Sequence, residues 1–209
     1  MVELPVIWWL RNDLRMHDNY AIVHVSNLIK SGKAQYVIPI YCYDPRHFSS
    51  SEIGLQQKRT DSFRTKFLTE SLADLRDSLR GIGSDLLVVH GRPEDVIPHI
   101  MREVGAKLVA VQPEVAWEDR LAEDAVAGAV SAAGGSVQFI WGSTLYHLDD
   151  LPFSAPPACT ASPPQQAESS KSPSASCIRT DRPDPAVDVA TLPSSRGAFT
   201  VQVAPIVYA

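Results

Sequence analysis

Apolar residues arrive in five short blocks, Val6–Leu10, Gln35–Tyr43, Asp85–His90, Lys107–Gln112 and Ser136–Trp141, each rich in β-branched or aromatic side chains. Between the blocks the apolar spacing changes from that of a strand to that of a helix. Near-continuous apolar strands alternating with amphipathic helices are what a parallel sheet covered on both faces requires, so the spacing predicts a doubly wound, Rossmann-like five-stranded α/β fold. The helical segments carry their own boundaries. Asp18 is placed to cap a helix that presents Ile22, Val23, Leu28 and Ile29 and stops at Gly32. Asp61 opens a longer one whose inward face is Phe63, Phe67, Leu68, Leu72, Leu75 and Leu79, ended by Gly81. Pro93, Glu94 and Asp95 suit a first turn before Val96, Ile97, Ile100 and Val104, with Gly105 as the stop. An Ala-rich helix runs from about Trp117 to Ala133 and closes at Gly134-Gly135.

Composition divides the chain. Residues 5–150 hold all five blocks and read as one domain, large enough to bury roughly 70 % of its unfolded surface. Residues 154–209 read as a disordered tail: 154–191 alone contains seven Pro, seven Ser and seven Ala with no aromatic residue, too little apolar surface to offset the entropy of ordering. Two of the three cysteines, Cys159 and Cys177, fall in that stretch, and with Cys42 they show no metal or redox spacing, as expected of free thiols in a reducing compartment. No signal-peptide pattern precedes the first strand, and no apolar run approaches the ~20 residues of a membrane span. The expectation is a soluble, intracellular chain without membrane contact, with plastid, nucleus and cytoplasm all open. The net charge is −5, and residues 1–150 carry all of it, with 15 Lys and Arg against 20 Asp and Glu. A chain that grips nucleic acid alone shows the opposite balance or a basic stripe, so autonomous nucleic-acid binding is not expected.

In open α/β sheets ligands bind beyond the carboxyl ends of the strands, where the strand order reverses. With the order 3-2-1-4-5 the reversal falls between the first and fourth strands, and the loops facing it are Arg11–Asn19 and Pro113–Glu118. The first is charged and has no glycine, so its backbone cannot approach a pyrophosphate as NAD, FAD or ATP loops do. The second offers Glu114. Its carboxylate either accepts paired hydrogen bonds from a ring edge bearing adjacent N–H donors or is a solvated acid favoured by the helix that follows. The histidines at 17, 24, 47, 90, 99 and 147 form no metal-ligand pair and read as surface or core residues. Trp8-Trp9 and Phe139/Trp141 read as packing on buried strands.

Trp9-Leu10-Arg11-Asn12-Asp13-Leu14-Arg15 followed by Asp18-Asn19 resembles the opening signature of the cryptochrome/photolyase family, with Leu10 where that signature has Phe. Tyr41-Cys42-Tyr43-Asp44-Pro45-Arg46, the stretch Phe67 to Arg76, and Gly91-Arg92-Pro93-Glu94 match in the same order. The segment from Trp141 through Gly142-Ser143-Thr144 to Phe153 is similar to DASH-type cryptochromes and the plant photolyase-like blue-light receptors. The resemblance implies an antenna domain that helps to bind methenyltetrahydrofolate where it meets a helical domain, and an FAD in that helical domain whose photochemistry repairs pyrimidine dimers. It further implies that Glu114 contacts the pterin. Arg11 and Asp13 match the opening motif, where charged pairing that shapes the loop and contact with the pigment are both open. After Phe153 the family pattern stops. Residues 154–190 read as an insert and 192–203 as a family-like remnant, so the flavin domain is expected to be missing and DNA repair by this chain alone is not expected. A separate FAD-binding photolyase domain is then the expected partner. A small binding or interaction protein that keeps the fold without photochemistry is the alternative, and an unrelated nucleotide-using enzyme is disfavoured by the missing glycine loop.

Overall fold

The computed structural model describes residues 4–49, 60–144 and 147. Its centre is Leu4–Leu10, β1, buried at every position but the first. Ala34–Tyr43 (β2), Leu87–His90 (β3), Leu108–Val111 (β4) and Ser136–Phe139 (β5) complete a five-stranded sheet in the order β3-β2-β1-β4-β5. All four pairings are parallel, and β1 has neighbours on both sides, pairing with β2 as far as Leu10 and with β4 as far as Trp9. The strand order therefore reverses at β1/β4.

Helices cover both faces. Because successive side chains of a strand point to opposite sides, Val6, Trp8 and Leu10 join Ile22 and Val25 of α1 (Tyr20–Lys30) and Leu72, Leu75 and Leu79 of α2 (Ser62–Gly81). Ile7 and Trp9 go the other way, into Ile97 and Met101 of α3 (Pro93–Val104) and Val126 and Val130 of α4 (Trp117–Ala132). Burial of side chains of this size is worth roughly 1.5–3 kcal/mol each, and β1 contributes to both clusters. That fixes it in the middle of the sheet and fixes the loop after it at the crevice.

Four expectations are corrected. Asn19, not Asp18, caps α1: its Oδ1 accepts from the Ala21 N–H at 2.9 Å, while Asp18 takes a left-handed φ of 55° outside the helix. Asp61 does cap α2, through the Ser62 N–H at 2.7 Å, yet Phe63 and Phe67 do not face the core and are 84 % and 71 % exposed. The first turns of α2 border a cleft instead of the sheet. Phe139 is likewise open to solvent, because β5 is an edge strand with a single neighbour, and Trp141 lies past its end. β3 begins at Leu87: Asp85 is taken up by Arg76, at 2.7 Å, and by the Leu86 N–H.

Gly105 ends α3 at φ 72°, a left-handed conformation that glycine adopts without cost. Cys42 is free and buried. The 150 boundary of the domain, the tail 154–209, the insert 154–190, the remnant 192–203, Cys159 and Cys177 fall outside the described residues. Among the described residues no helix is long and apolar enough to cross a membrane.

Candidate functional site

Arg11 leaves β1 and crosses to β4 and α4. Its Nη2 donates to the Gln112 carbonyl at 2.9 Å and pairs with Glu123 Oε1, and its guanidinium carbon lies 4.8 Å from the centre of the Trp9 ring. Glu123 is buried on the inward face of α4. The oxygen that meets Arg11 also accepts the Glu114 backbone N–H at 2.7 Å. A carboxylate this deep must be paired and hydrogen-bonded, and here both partners come from the two loops at the reversal point.

Asp13 ties the first loop to itself. Oδ1 accepts the Arg11 N–H at 3.0 Å and Oδ2 accepts from Asn19 Nδ2 at 3.2 Å, so the residue that caps α1 also holds the loop entering it. Asn12, between the two charged residues, reaches the second loop: its Nδ2 donates to Glu114 Oε1 at 3.0 Å. Among the described residues nothing donates to Glu114 Oε2. Glu114 is half-buried, and burial pushes its carboxyl above the ordinary Glu value, with partial relief from the Asn12 hydrogen bond and the Arg11 charge. Arg11, Asp13 and Glu114 are thus brought into one network, with Arg11 and Asp13 engaged inside the protein and Glu114 presenting one open oxygen.

The loop after β5 completes this side. Ser143 Oγ donates to the Pro113 carbonyl at 3.0 Å, and a Cβ at position 142 would lie 2.9 Å from Tyr20 Cδ2 and 3.0 Å from Gln112 Oε1, so any larger residue there would push those side chains aside. Leu145, Tyr146 and residues 148–153 of the same motif lie outside the described residues.

A cleft of about 660 Å³ opens at the same edge, within the size range of small-molecule sites. Trp9, Asn12, Tyr41, Phe48, Phe67 and Trp117 are among its walls. Glu114 is not. It touches the cleft only through Asn12, so the cavity and the open carboxylate are neighbours, not one surface. Beyond β2 a second charged network closes on itself: Asp44 Oδ1 accepts the Arg46 N–H at 2.9 Å and Nε at 3.0 Å, Oδ2 takes Arg46 Nη2, and Nη2 also donates to Glu94 Oε2 at 2.9 Å. Burial pushes the Asp44 carboxyl up, but the Arg46 hydrogen bonds and charge together outweigh it and hold the carboxyl below the ordinary Asp value. Cys42 beneath it has its thiol pushed up to about 12 by burial and by the charges of Asp44 and Glu94. Among the described residues no group of three or more His, Cys, Asp or Glu could hold a metal.

Sequence reasoning missed Glu123, Asn12 and Asn19. Glu123 did leave a signal: with Val126 and Val130 it forms the buried stripe of α4 at helical spacing, and an acid in such a stripe needs a partner. Asn12 left none, since its partner is 102 positions away.

A family model described as DNA photolyase matches residues 6–171. The chain is 42 % identical over 145 residues to the blue-light photoreceptor PHR2 of Arabidopsis thaliana, covering 69 % of this chain and 31 % of that protein. It is 42 % identical over 153 residues to the cryptochrome DASH of Gloeobacter violaceus, covering 73 % and 29 %. Among solved structures, a cryptochrome of Synechocystis sp. PCC6803 superposes with a TM-score of 0.67 at 36 % identity, over 74 % of this chain and 31 % of that one. An archaeal photolyase of Sulfolobus tokodaii, described with two FAD molecules and a novel light-harvesting cofactor, shares the fold at a TM-score of 0.52 and 22 % identity, over 69 % and 32 %. The chain spans about three-tenths of the length of the relatives it matches.

Proposed function

The chain belongs to the DNA photolyase family, and from that premise we propose that its α/β domain is the antenna domain of a DASH-like cryptochrome or photolyase, holding a methenyltetrahydrofolate-type pigment at the β1/β4 crevice. The family uses FAD and an antenna chromophore. The described residues are assigned the pigment, and flavin photochemistry and DNA repair are assigned to the part of the relatives beyond the matched segment. The observation that carries the assignment is Glu114 Oε2, a half-buried carboxylate oxygen that no described residue bonds, at the point where the strand order reverses. A pterin edge offers an amino group and a ring N–H side by side, the pattern a carboxylate accepts best. Bound there, the pigment would supply light absorption, and the protein's part is to hold it. The partner we propose is a flavin-binding photolyase domain, whether on a longer form of this chain or on a separate one. The exposed pairs Phe63/Phe67 on α2 and Trp117/Leu121 on α4 offer it apolar surface to cover.

The test is a titration of the purified chain with methenyltetrahydrofolate, followed by pigment fluorescence. Glu114→Gln turns one accepting oxygen into a donor and removes the charge, and should weaken binding by about 1.5–3 kcal/mol, ten- to hundred-fold. Wild-type affinity is expected to be modest, because the walls that another domain would supply are not among the described residues. Equal binding by the two proteins would remove Glu114 from the site. The cleft supports a second placement, because Glu114 does not line it: a pigment lying wholly between Tyr41, Phe48 and Trp117 would be indifferent to Glu114→Gln and blocked by Ser71→Trp, which fills the cleft from α2.

A further inference from the structure

Glu123 belongs to none of the motifs and lies behind the crevice, yet it is joined to both loops that face it. One carboxylate oxygen receives both the Glu114 backbone N–H, at 2.7 Å, and the Arg11 guanidinium. Arg11 is followed by Asn12, whose amide donates to Glu114 Oε1 at 3.0 Å. Glu114 is therefore gripped twice, at its backbone by Glu123 and at its side chain by the neighbour of the residue Glu123 holds. Packing does not call for an acid here: Val126 and Val130 fill the same stripe of α4, and an apolar residue at 123 would extend it.

We infer that Glu123 is the positioning residue of the crevice: its buried carboxylate binds the loop after β1 to the loop after β4 and so fixes where Glu114 presents its open oxygen, without itself reaching the ligand. This rests on the assignment of Glu114 as the pigment's acceptor. It makes a demand that a merely structural role does not, since the effect of Glu123 on binding must pass through Glu114. Glu123→Gln keeps an acceptor oxygen for both donors and should bind nearly as wild type does. Glu123→Ala removes the acceptor and should weaken binding by about ten-fold, the scale on which one misplaced charge-assisted hydrogen bond is felt.

The experiment is a double-mutant cycle on the full chain, with methenyltetrahydrofolate as probe and pigment fluorescence as readout. Alongside it, amide hydrogen exchange is measured on the pigment-free chain. In the Glu114→Gln background, Glu123→Ala should cost nothing further. Without pigment, Glu123→Ala should speed exchange at the Glu114 amide at least about ten-fold while the Trp9 and Val109 amides of the sheet stay protected. If Glu123→Ala does not fold, the paired change Arg11→Met/Glu123→Leu leaves no buried charge and carries the same test. A ten-fold loss in both backgrounds would overturn the inference, as would unchanged Glu114 exchange. Loss with Glu114→Gln but none with Glu123→Ala would overturn it and leave the pigment assignment standing. Wild-type binding by Glu114→Gln would overturn the pigment assignment and the inference built on it, while the exchange data would still show whether Glu123 holds the loop.

Discussion

After β2, the acid and the arginine close on each other: Asp44 spends both oxygens on Arg46, and the Arg46 Nη2 that meets Asp44 also donates to Glu94. After β1 and β4, the arginine is also held, by Glu123 and the Gln112 carbonyl, although its Nε is buried without a partner among the described residues, and the network leaves Glu114 with one oxygen open. Both networks lie at the carboxyl edge of one sheet, and each sets an Arg against a buried acid. What separates them is what is left unpaired. A network whose acid has both oxygens paired holds its loop, whereas one that leaves an acceptor open at a cavity's flank can also recognise something.

Arg11→Met attacks the open network at its root. It strands the Glu123 carboxylate in the interior and should lower stability by about 3 kcal/mol, read as a shift in the urea midpoint. The same change made together with Glu123→Leu should recover most of that loss, and failure to recover would mean that Arg11 does more than neutralise Glu123. Asp44→Ala opens the closed network and should cost less, about 2 kcal/mol, because the Arg46 side chain is already 37 % exposed and rehydrates when freed. Its pH signature sharpens the contrast. The folded-state values of Asp44 and Asp85 lie below 3.8, so the stability they contribute is complete above that value and is lost as pH falls through their folded values. Removing Asp44 should flatten the acid limb of a stability–pH curve, and an unchanged limb would contradict the pairing.

Glu114→Gln should do least to the fold. A carboxyl whose folded value is raised above 4.5 favours the folded state fully below that value and loses that contribution as pH rises through the folded value, so near neutrality the charge is a small burden. The variant should match wild type within about 0.5 kcal/mol or slightly exceed it at pH 7. A larger loss would place Glu114 among the structural acids, with Asp44.

The sheet was legible because β1 and β4 are buried on both faces and leave near-continuous apolar runs, and β2 keeps one from Tyr36 to Tyr43. The start of α1 was ambiguous for a local reason: Asp18 and Asn19 are both good caps, and only the backbone shows which of them is extended. Phe67 misled because cleft walls and cores are built from the same residues, and Phe63, open to solvent, because periodicity records apolar character without saying what covers it. In the site, Glu114 was legible from its place after the fourth strand. The link that aims it, from Asn12 across 102 positions, has no local trace, and Glu123 showed only as an acid out of place among valines.

We propose that the pigment is recognised at the open oxygen of Glu114 and not in the neighbouring cleft alone. This is tested most directly by following backbone and side-chain amide resonances of the full chain during titration with methenyltetrahydrofolate, since a bound pterin ring shifts the nuclei it faces. Shifts should concentrate at the Asn12 side-chain amide, Glu114 and Val115, with Asp44, Arg46 and Glu94 unmoved. Shifts confined to Tyr41, Asp44 and Phe48, with Asn12 and Glu114 silent, would contradict it.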